Sequence, residues 1–209
     1  MRLKIKKTGS FKASQKYLDL IANSKVYDVA IDTPISFAAS LSSKLKNEVF
    51  LKREDLQPIF SFKIRGAYNK ISNLSVAQQK RGVLTASAGN HAQGVAISCK
   101  LLKIKGTIFM PSPTPNQKIE QVKMFGEDYV EVVLIGDTFD DAYADARLHQ
   151  EDTGKIFIPP FDDQKIIEGQ ATVGKEIYEQ ENGHIDYVFI LRENIIQNRE
   201  KIYKNFLKN

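Results

Sequence analysis

The sequence predicts an α/β protein built on open, mostly parallel sheets with flanking helices. Three observations carry this. Short runs rich in β-branched and aromatic residues alternate, from residue 48 to 190, with stretches whose apolar residues recur at helical spacing. The two loops of most unusual composition each follow a strand-like run and open a helix-like one, which is where ligands gather in parallel sheets. At 209 residues and 42% apolar content, the chain is long enough to bury one substantial core.

Taken in order, "EVFLKRE" (48–54) reads as a strand, followed by helical spacing over 64–74 and 75–81. "GVLTAS" (82–87) is the next strand, and "HAQGVAISCKLLK" (91–103) the next helix. The alternation continues with the strand "KGTIFM" and the helix "NQKIEQVKMFG", which Gly126 is expected to close. After the strand "DYVEVVLIG" comes the helix "FDDAYADARLHQED", closed near Gly154. "KIFIPPF" then leads into an amphipathic stretch from Asp163 to Gln180, and "DYVFI" (186–190) reads as a further strand. Strands and helices of these lengths, alternating, imply parallel βαβ units and an open α/β sheet.

The net charge of +5 raises the question of nucleic acid, and its distribution answers it. Residues 1–16 carry six basic side chains and no acid, and residues 191–209 carry five basic against two acidic, so the stretch between them has a net charge of −4. The basicity belongs to the two ends, and no nucleic-acid partner is expected. No apolar run approaches the roughly 18–20 residues of a membrane span, and the amino terminus lacks the apolar block of a signal peptide. Cytoplasmic residence without membrane association is the expectation. Cys99 is the only cysteine, which excludes a disulfide within the chain and a cysteine-rich zinc site, and no metal is expected.

Two segments carry candidate chemistry. In "SAGNHAQG" (87–94), Ser87, Ala88 and Gly89 are small enough to let backbone N–H groups face a ligand where a helix begins, a setting that favours an anion. The competing reading is a plain βα turn capped by Asn90. In "PIFSFKIRGAYNK" (58–70), Lys63 stands between Phe62 and Ile64 at the start of a helix. It is either a snorkelling surface charge or a desolvated nucleophile able to form a Schiff base with an aldehyde. The proline-rich loop "MPSPTPNQK" (110–118) is the second unusual strand exit. Of the histidines, His149 is expected to be exposed on a polar helix and His184 to lie in a turn, leaving His91 as the one placed for function. Cys99 reads as a small buried hydrophobe, and Asp140, Asp141, Asp162 and Asp163 as helix-start acids.

The combination of "VYDVAIDTPI" (26–35), "VFLKREDLQPIFSFKIRGAYNKI" (49–71), "TASAGNHAQGVA" (85–96), "MPSPTPNQKIEQVKMFG" (110–126), "GDTFDDAYADA" (136–146) and "IPPFDDQKIIEGQATVGKEI" (158–177) resembles the threonine dehydratase (threonine ammonia-lyase) family. The likeness runs in order over about residues 15–190, and "KYLDLIANSKVYDVA" is nearer the biosynthetic form. Serine racemase and other members of the same pyridoxal-phosphate fold share several of these motifs. The resemblance implies the tryptophan-synthase-β type of fold, with pyridoxal 5′-phosphate as cofactor and a small amino acid as substrate. It implies deamination of L-threonine to 2-oxobutanoate and ammonia, the first step of isoleucine biosynthesis. By the same resemblance, Lys63 carries the cofactor and acts as base, Phe62 lies against the pyridine ring, and Asn90 bonds the phenolic oxygen. Ser87, Ala88, Gly89, Asn90 and His91 would grip the substrate carboxylate, and full-length relatives are expected to be homo-oligomers.

This divides the chain into a basic arm and first helix (1–25), the amino-terminal part of a catalytic domain (26–190, with a small mobile subdomain over roughly 82–160) and a tail (191–209). The tail, "LRENIIQNREKIYKNFLKN", stands where the family has a glycine run around the cofactor phosphate, and no glycine follows Gly183. This departure implies an incomplete catalytic domain, through a frameshift or a premature end, and opens a second reading beside the active enzyme: a catalytically inactive fragment, or a chain that pairs with a separately made carboxyl-terminal half. An exposed apolar strand at 186–190 and a tendency to associate are expected. Ile196, Ile202, Phe206 and Leu207 give the tail a loosely helical spacing.

Overall fold

The computed structural model describes residues 11–181 and 185–190, with side chains from residue 15 onward. Helix α1 (Phe11–Ala22) lies against the last helix among the described residues. Strands β1 (Ile35–Phe37) and β2 (Phe50–Lys52) form an antiparallel pair separated by α2 (Ala39–Leu45). Then come α3 (Lys63–Ser72), α4 (Val76–Arg81), β3 (Val83–Ala86), α5 (Asn90–Leu102), β4 (Gly106–Met110), α6 (Asn116–Gly126), β5 (Val130–Leu134), α7 (Phe139–Thr153), β6 (Ile156–Phe157) and α8 (Gln164–Gln180). The second sheet is wholly parallel, in the order β5-β4-β3-β6, with Val83 opposite both Gly106 and Ile156. The predicted α/β class and open parallel sheet with flanking helices are what the structure has.

The central strands β3 and β4 are buried throughout, because helices cover both faces. The strand period of two divides their side chains: Leu84, Ala86 and Phe109 pack with Ala142 and Ala146 of α7. Val83 packs on the other face with Ala67, Ile71, Val95 and Ile166 of α3, α5 and α8, and Ile108 and Met110 pack with α5 and α6. Cys99 lies in this core, where burial pushes its thiol up to about 12. Gly106 gives it room, since a Cβ there would sit 2.7 Å from the Cys99 sulfur.

Helix boundaries follow local chemistry. Ser75 with Gln78, and Thr138 with Asp141, form capping boxes for α4 and α7, and Asp163 accepts from the N–H groups of Lys165 and Ile166 at the start of α8. Asp141 and Asp163 are thus helix-start acids, as expected. Gly154 ends α7 in the left-handed region (φ 67°), also as expected. Gly126 differs: the left-handed residue after α6 is Glu127 (φ 47°), whereas Gly126 is needed for space, since a Cβ there would fall 2.1 Å from Val130.

One expected strand is not formed. Residues 186–190 pair with nothing among the described residues, and Phe189 is 91% exposed. A strand exists only through its neighbours, and no described segment offers one. The exposed apolar surface expected here is present in Tyr187, Val188, Phe189 and Ile190. The basic arm over residues 1–10, His184, and the tail with its helical spacing all lie outside the described residues.

Candidate active site

The site is built around the start of α3. Residues 57–60 turn sharply, with the Phe60 N–H donating to the Gln57 carbonyl at 2.7 Å and Phe60 held at φ 58°, an uncommon conformation for a bulky residue. The turn delivers Lys63 as the first residue of α3, its N–H donating to Ser61 Oγ at 3.3 Å. The Lys63 side chain is only 6% exposed. Its Nζ donates to the Pro160 carbonyl at 3.2 Å and stands 4.6 Å from the centre of the Phe161 ring and 5.4 Å from that of Phe62. Lys63 is therefore no snorkelling surface charge.

Two helix crossings hold it there. A Cβ on Gly94 would come 3.0 Å from the Lys63 carbonyl, so α5 runs directly beside the first turn of α3. A Cβ on Gly169 would come 2.6 Å from the Arg65 carbonyl, so α8 crosses at the next turn. Arg65 is fully buried and bridges Glu54 (2.7 Å) and Glu176 (2.5 Å). Lys52 adds a 2.7 Å pair to Glu176, and the Tyr27 hydroxyl donates to the same carboxylate at 2.8 Å. Burial would push Glu176 up, but its bonds from Arg65 and Lys52 hold it below the usual carboxylate value. The Tyr27 hydroxyl is raised, first by burial and then by its bond to Glu176.

The loop after β3 opens onto the same place. The Ser87 N–H continues the sheet pairing to the Phe109 carbonyl at 3.0 Å, and the Gly89 N–H donates to Ser87 Oγ at 3.3 Å. Gly89, not Asn90, is the N-cap of α5, and it offers no side-chain oxygen. Asn90 is the first helical residue, and its amide has no partner among the described residues. A Cβ on Gly89 would meet nothing within 4 Å. The helix start thus has no side-chain cap among the described residues, which leaves N–H groups of its first turn able to donate to an acceptor.

His91 is buried, and burial followed by the nearby Lys63 charge lowers it to about 4, against the bond to the Ile158 carbonyl that raises it. His149 departs from expectation: it is half-buried, with its ring 5.4 Å from that of Phe109, because α7 lies on that face of the sheet. In the proline-rich exit from β4, Thr114 Oγ1 donates to the Pro111 carbonyl at 2.6 Å and the Ser112 N–H to the Gly136 carbonyl at 2.8 Å, so its polar groups shape the loop itself. A cavity of about 320 Å³ lies at the opposite, amino-terminal edge of the sheet, between Lys105 and Lys155. Both lysines are engaged, with the Asp128 carbonyl and Thr107 Oγ1.

Phe62, Lys63 and the 87–91 loop are thus brought together. Sequence reasoning missed Pro160, Phe161 and the Arg65–Glu54–Glu176 cluster. Phe161 stood in the motif "IPPFDDQK" without a role, and its two preceding prolines were the available signal.

Residues 26–191 match the family described as pyridoxal-phosphate dependent enzyme. Biosynthetic L-threonine dehydratase IlvA of Halalkalibacterium halodurans is 51% identical over 170 residues, covering 81% of this chain and 41% of that protein. The chloroplastic biosynthetic threonine dehydratase of Arabidopsis thaliana is 47% identical over 182 residues, covering 87% of this chain and 30% of that protein. Among solved structures, the processed form of threonine deaminase isoform 2 from Solanum lycopersicum superposes with a TM-score of 0.77 at 49% identity, over 82% of this chain and 47% of that one. Maize serine racemase gives 0.72 at 32% identity, over 79% and 49%. The chain spans less than half the length of each of these relatives.

Proposed function

The chain belongs to the family of pyridoxal-phosphate-dependent enzymes, with their tryptophan-synthase-β-like fold, and from that premise we propose that it serves the deamination of L-threonine to 2-oxobutanoate and ammonia. The observation that carries this is the buried Lys63 amine, 4.6 Å from the centre of the Phe161 ring and 5.4 Å from that of Phe62, on a helix that α5 crosses at Gly94. The relatives named threonine dehydratase stand at about 50% identity, well above serine racemase, which favours threonine as substrate and a place in isoleucine biosynthesis. We place the reaction in the cytoplasm; no helix among the described residues is long and apolar enough to cross a membrane.

The residues present fit one end of the cofactor. A buried amine and two aromatic rings within 5.4 Å of it suit an aldehyde and a flat ring, and the Asn90 amide, which has no partner among the described residues, suits a phenolic oxygen. The phosphate grip would fall after residue 190, outside the described residues. When bound, the cofactor supplies an aldehyde for the lysine and a ring that takes up the charge left when the substrate α-proton departs.

The protein's part is binding, orientation and proton transfer. Lys63 holds the cofactor, and its Nζ, once released, receives the α-proton. The N–H groups at the start of α5, with Ser87, orient the substrate carboxylate, and Asn90 orients the ring through its oxygen. Phe62 and Phe161 keep water from the amine. Domain organisation follows the same reading, with residues 26–190 as the amino-terminal part of the catalytic domain and roughly 82–160 as its smaller subdomain.

Incubation with pyridoxal 5′-phosphate, reduction with borohydride and peptide mass spectrometry test the anchor. The label is expected on Lys63 and absent in Lys63→Ala; labelling spread over surface lysines would refute it. Assay of 2-oxobutanoate with threonine tests turnover separately, and a labelled chain that yields none would overturn the reaction while leaving the anchor.

A further inference from the structure

The Lys63 amine donates to the Pro160 carbonyl, so whatever places that carbonyl helps to place the lysine. Strand β6 has only two residues, and after Ile158 come Pro159 and Pro160, neither with an N–H to tie to the sheet. The last backbone tie before the prolines is the Ile158 N–H, donating to the Leu84 carbonyl at 2.8 Å. The Ile158 carbonyl accepts two further bonds, from Thr85 Oγ1 at 2.8 Å and from His91 Nε2 at 3.0 Å. A carbonyl can only accept, so Nε2 carries the ring proton, and the buried Nδ1 is left with no partner among the described residues. His91 thus spends its one N–H on the strap that holds the lysine, reaching it from the first turn of α5.

We propose that His91 is a positioning residue for Lys63: its Nε2–H holds the Ile158 carbonyl and, through the two prolines that follow, sets the Pro160 carbonyl and the Phe161 ring against the lysine amine. This use of the ring is distinct from the carboxylate grip expected of residues 87–91. It joins the two halves of the site, because one side chain ties the helix start that faces the anion to the wall that faces the amine. Its meaning for catalysis rests on Lys63 being the cofactor lysine, but its test needs no cofactor and so fails or succeeds apart from that reading.

The test is trace acetylation of the full chain with limiting acetic anhydride, reading Lys63 against Lys70, which lies on the same helix and pairs with Asp163 at 2.6 Å. In His91→Gln the side-chain amide nitrogen reaches the position of Nε2; in His91→Asn it stops at that of Nδ1, short of the Ile158 carbonyl. His91→Asn is expected to raise the Lys63-to-Lys70 ratio about tenfold, the weight of one buried hydrogen bond, while His91→Gln stays within about threefold of the unsubstituted chain. An unchanged ratio in His91→Asn, or equal ratios in the two variants, overturns the proposal. Should His91→Asn fail to fold, Thr85→Val, which removes the other donor to Ile158, must raise the ratio at least about threefold, and no change there overturns it as well.

Discussion

Replacing Arg65 by Met is expected to be the most damaging single change on α3 that leaves Lys63 in place. The guanidinium makes six contacts: to both oxygens of Glu54 (2.7 and 2.8 Å), both of Glu176 (2.5 and 2.9 Å), Thr172 Oγ1 (3.0 Å) and the Ile31 carbonyl (3.1 Å). Met fills the stem but supplies no donor. Glu176 keeps Lys52 and Tyr27, whereas among the described residues Glu54 keeps only the neutral donors Thr33 and Gln57 and loses its cation. Removing one side of a buried ion pair costs about 3–5 kcal/mol, and the partial rescue of Glu176 places this case near the lower end, about 3 kcal/mol. With an m-value of about 2 kcal/mol/M, the urea midpoint followed by circular dichroism should fall by about 1.5 M. Adding Glu54→Gln to Arg65→Met removes the stranded charge and should recover about 1 kcal/mol. A midpoint shift below about 0.5 M, or a double variant less stable than Arg65→Met alone, would refute the idea that this charge network anchors the helix bearing Lys63.

Two further outcomes follow from the geometry. The unfolded chain protonates His91 near pH 6.5 and the folded chain only near 4, so its contribution is complete above about 6.5 and is lost as pH falls towards 4. By pH 4.5 the loss should be about 2–3 kcal/mol, and His91→Gln should flatten that limb of a midpoint-against-pH plot; Glu176, being held low, adds its own loss only below about pH 4.3. Gly169→Ala puts a Cβ 2.6 Å from the Arg65 carbonyl and should cost about 1–3 kcal/mol, while Gly174→Ala in the same helix meets nothing within 4 Å among the described residues and should stabilise by about 0.5–1 kcal/mol. Opposite shifts in the thermal midpoints of the two variants check this.

The alternation of strand and helix patterns, the small-residue loop after β3 and Lys63 at a helix start were all legible in the sequence, because each depends on neighbours close along the chain. So was the small-residue composition of residues 87–91 at a helix start, although the cap proved to be Gly89 rather than Asn90. The strand expected at 186–190 fell short for the opposite reason: β propensity is local, but a strand needs a partner. What surrounds the lysine was decided by tertiary structure alone. Lys63 and Pro160 lie 97 residues apart and meet only because β6 takes its place beside β3 in the sheet. Pro160 and Ile158 act through backbone carbonyls, which every residue possesses, so residue type marks neither as a partner of Lys63 or His91, and the prolines signal only where the strand leaves the sheet. Arg65, Glu54 and Glu176 read in the sequence as three ordinary charges, and became one buried cluster only when α8 crossed α3 at Gly66 and Gly169. Local pattern determined which segments form and which residue types they offer; the order of strands and the crossing of helices decided which of those residues share a site.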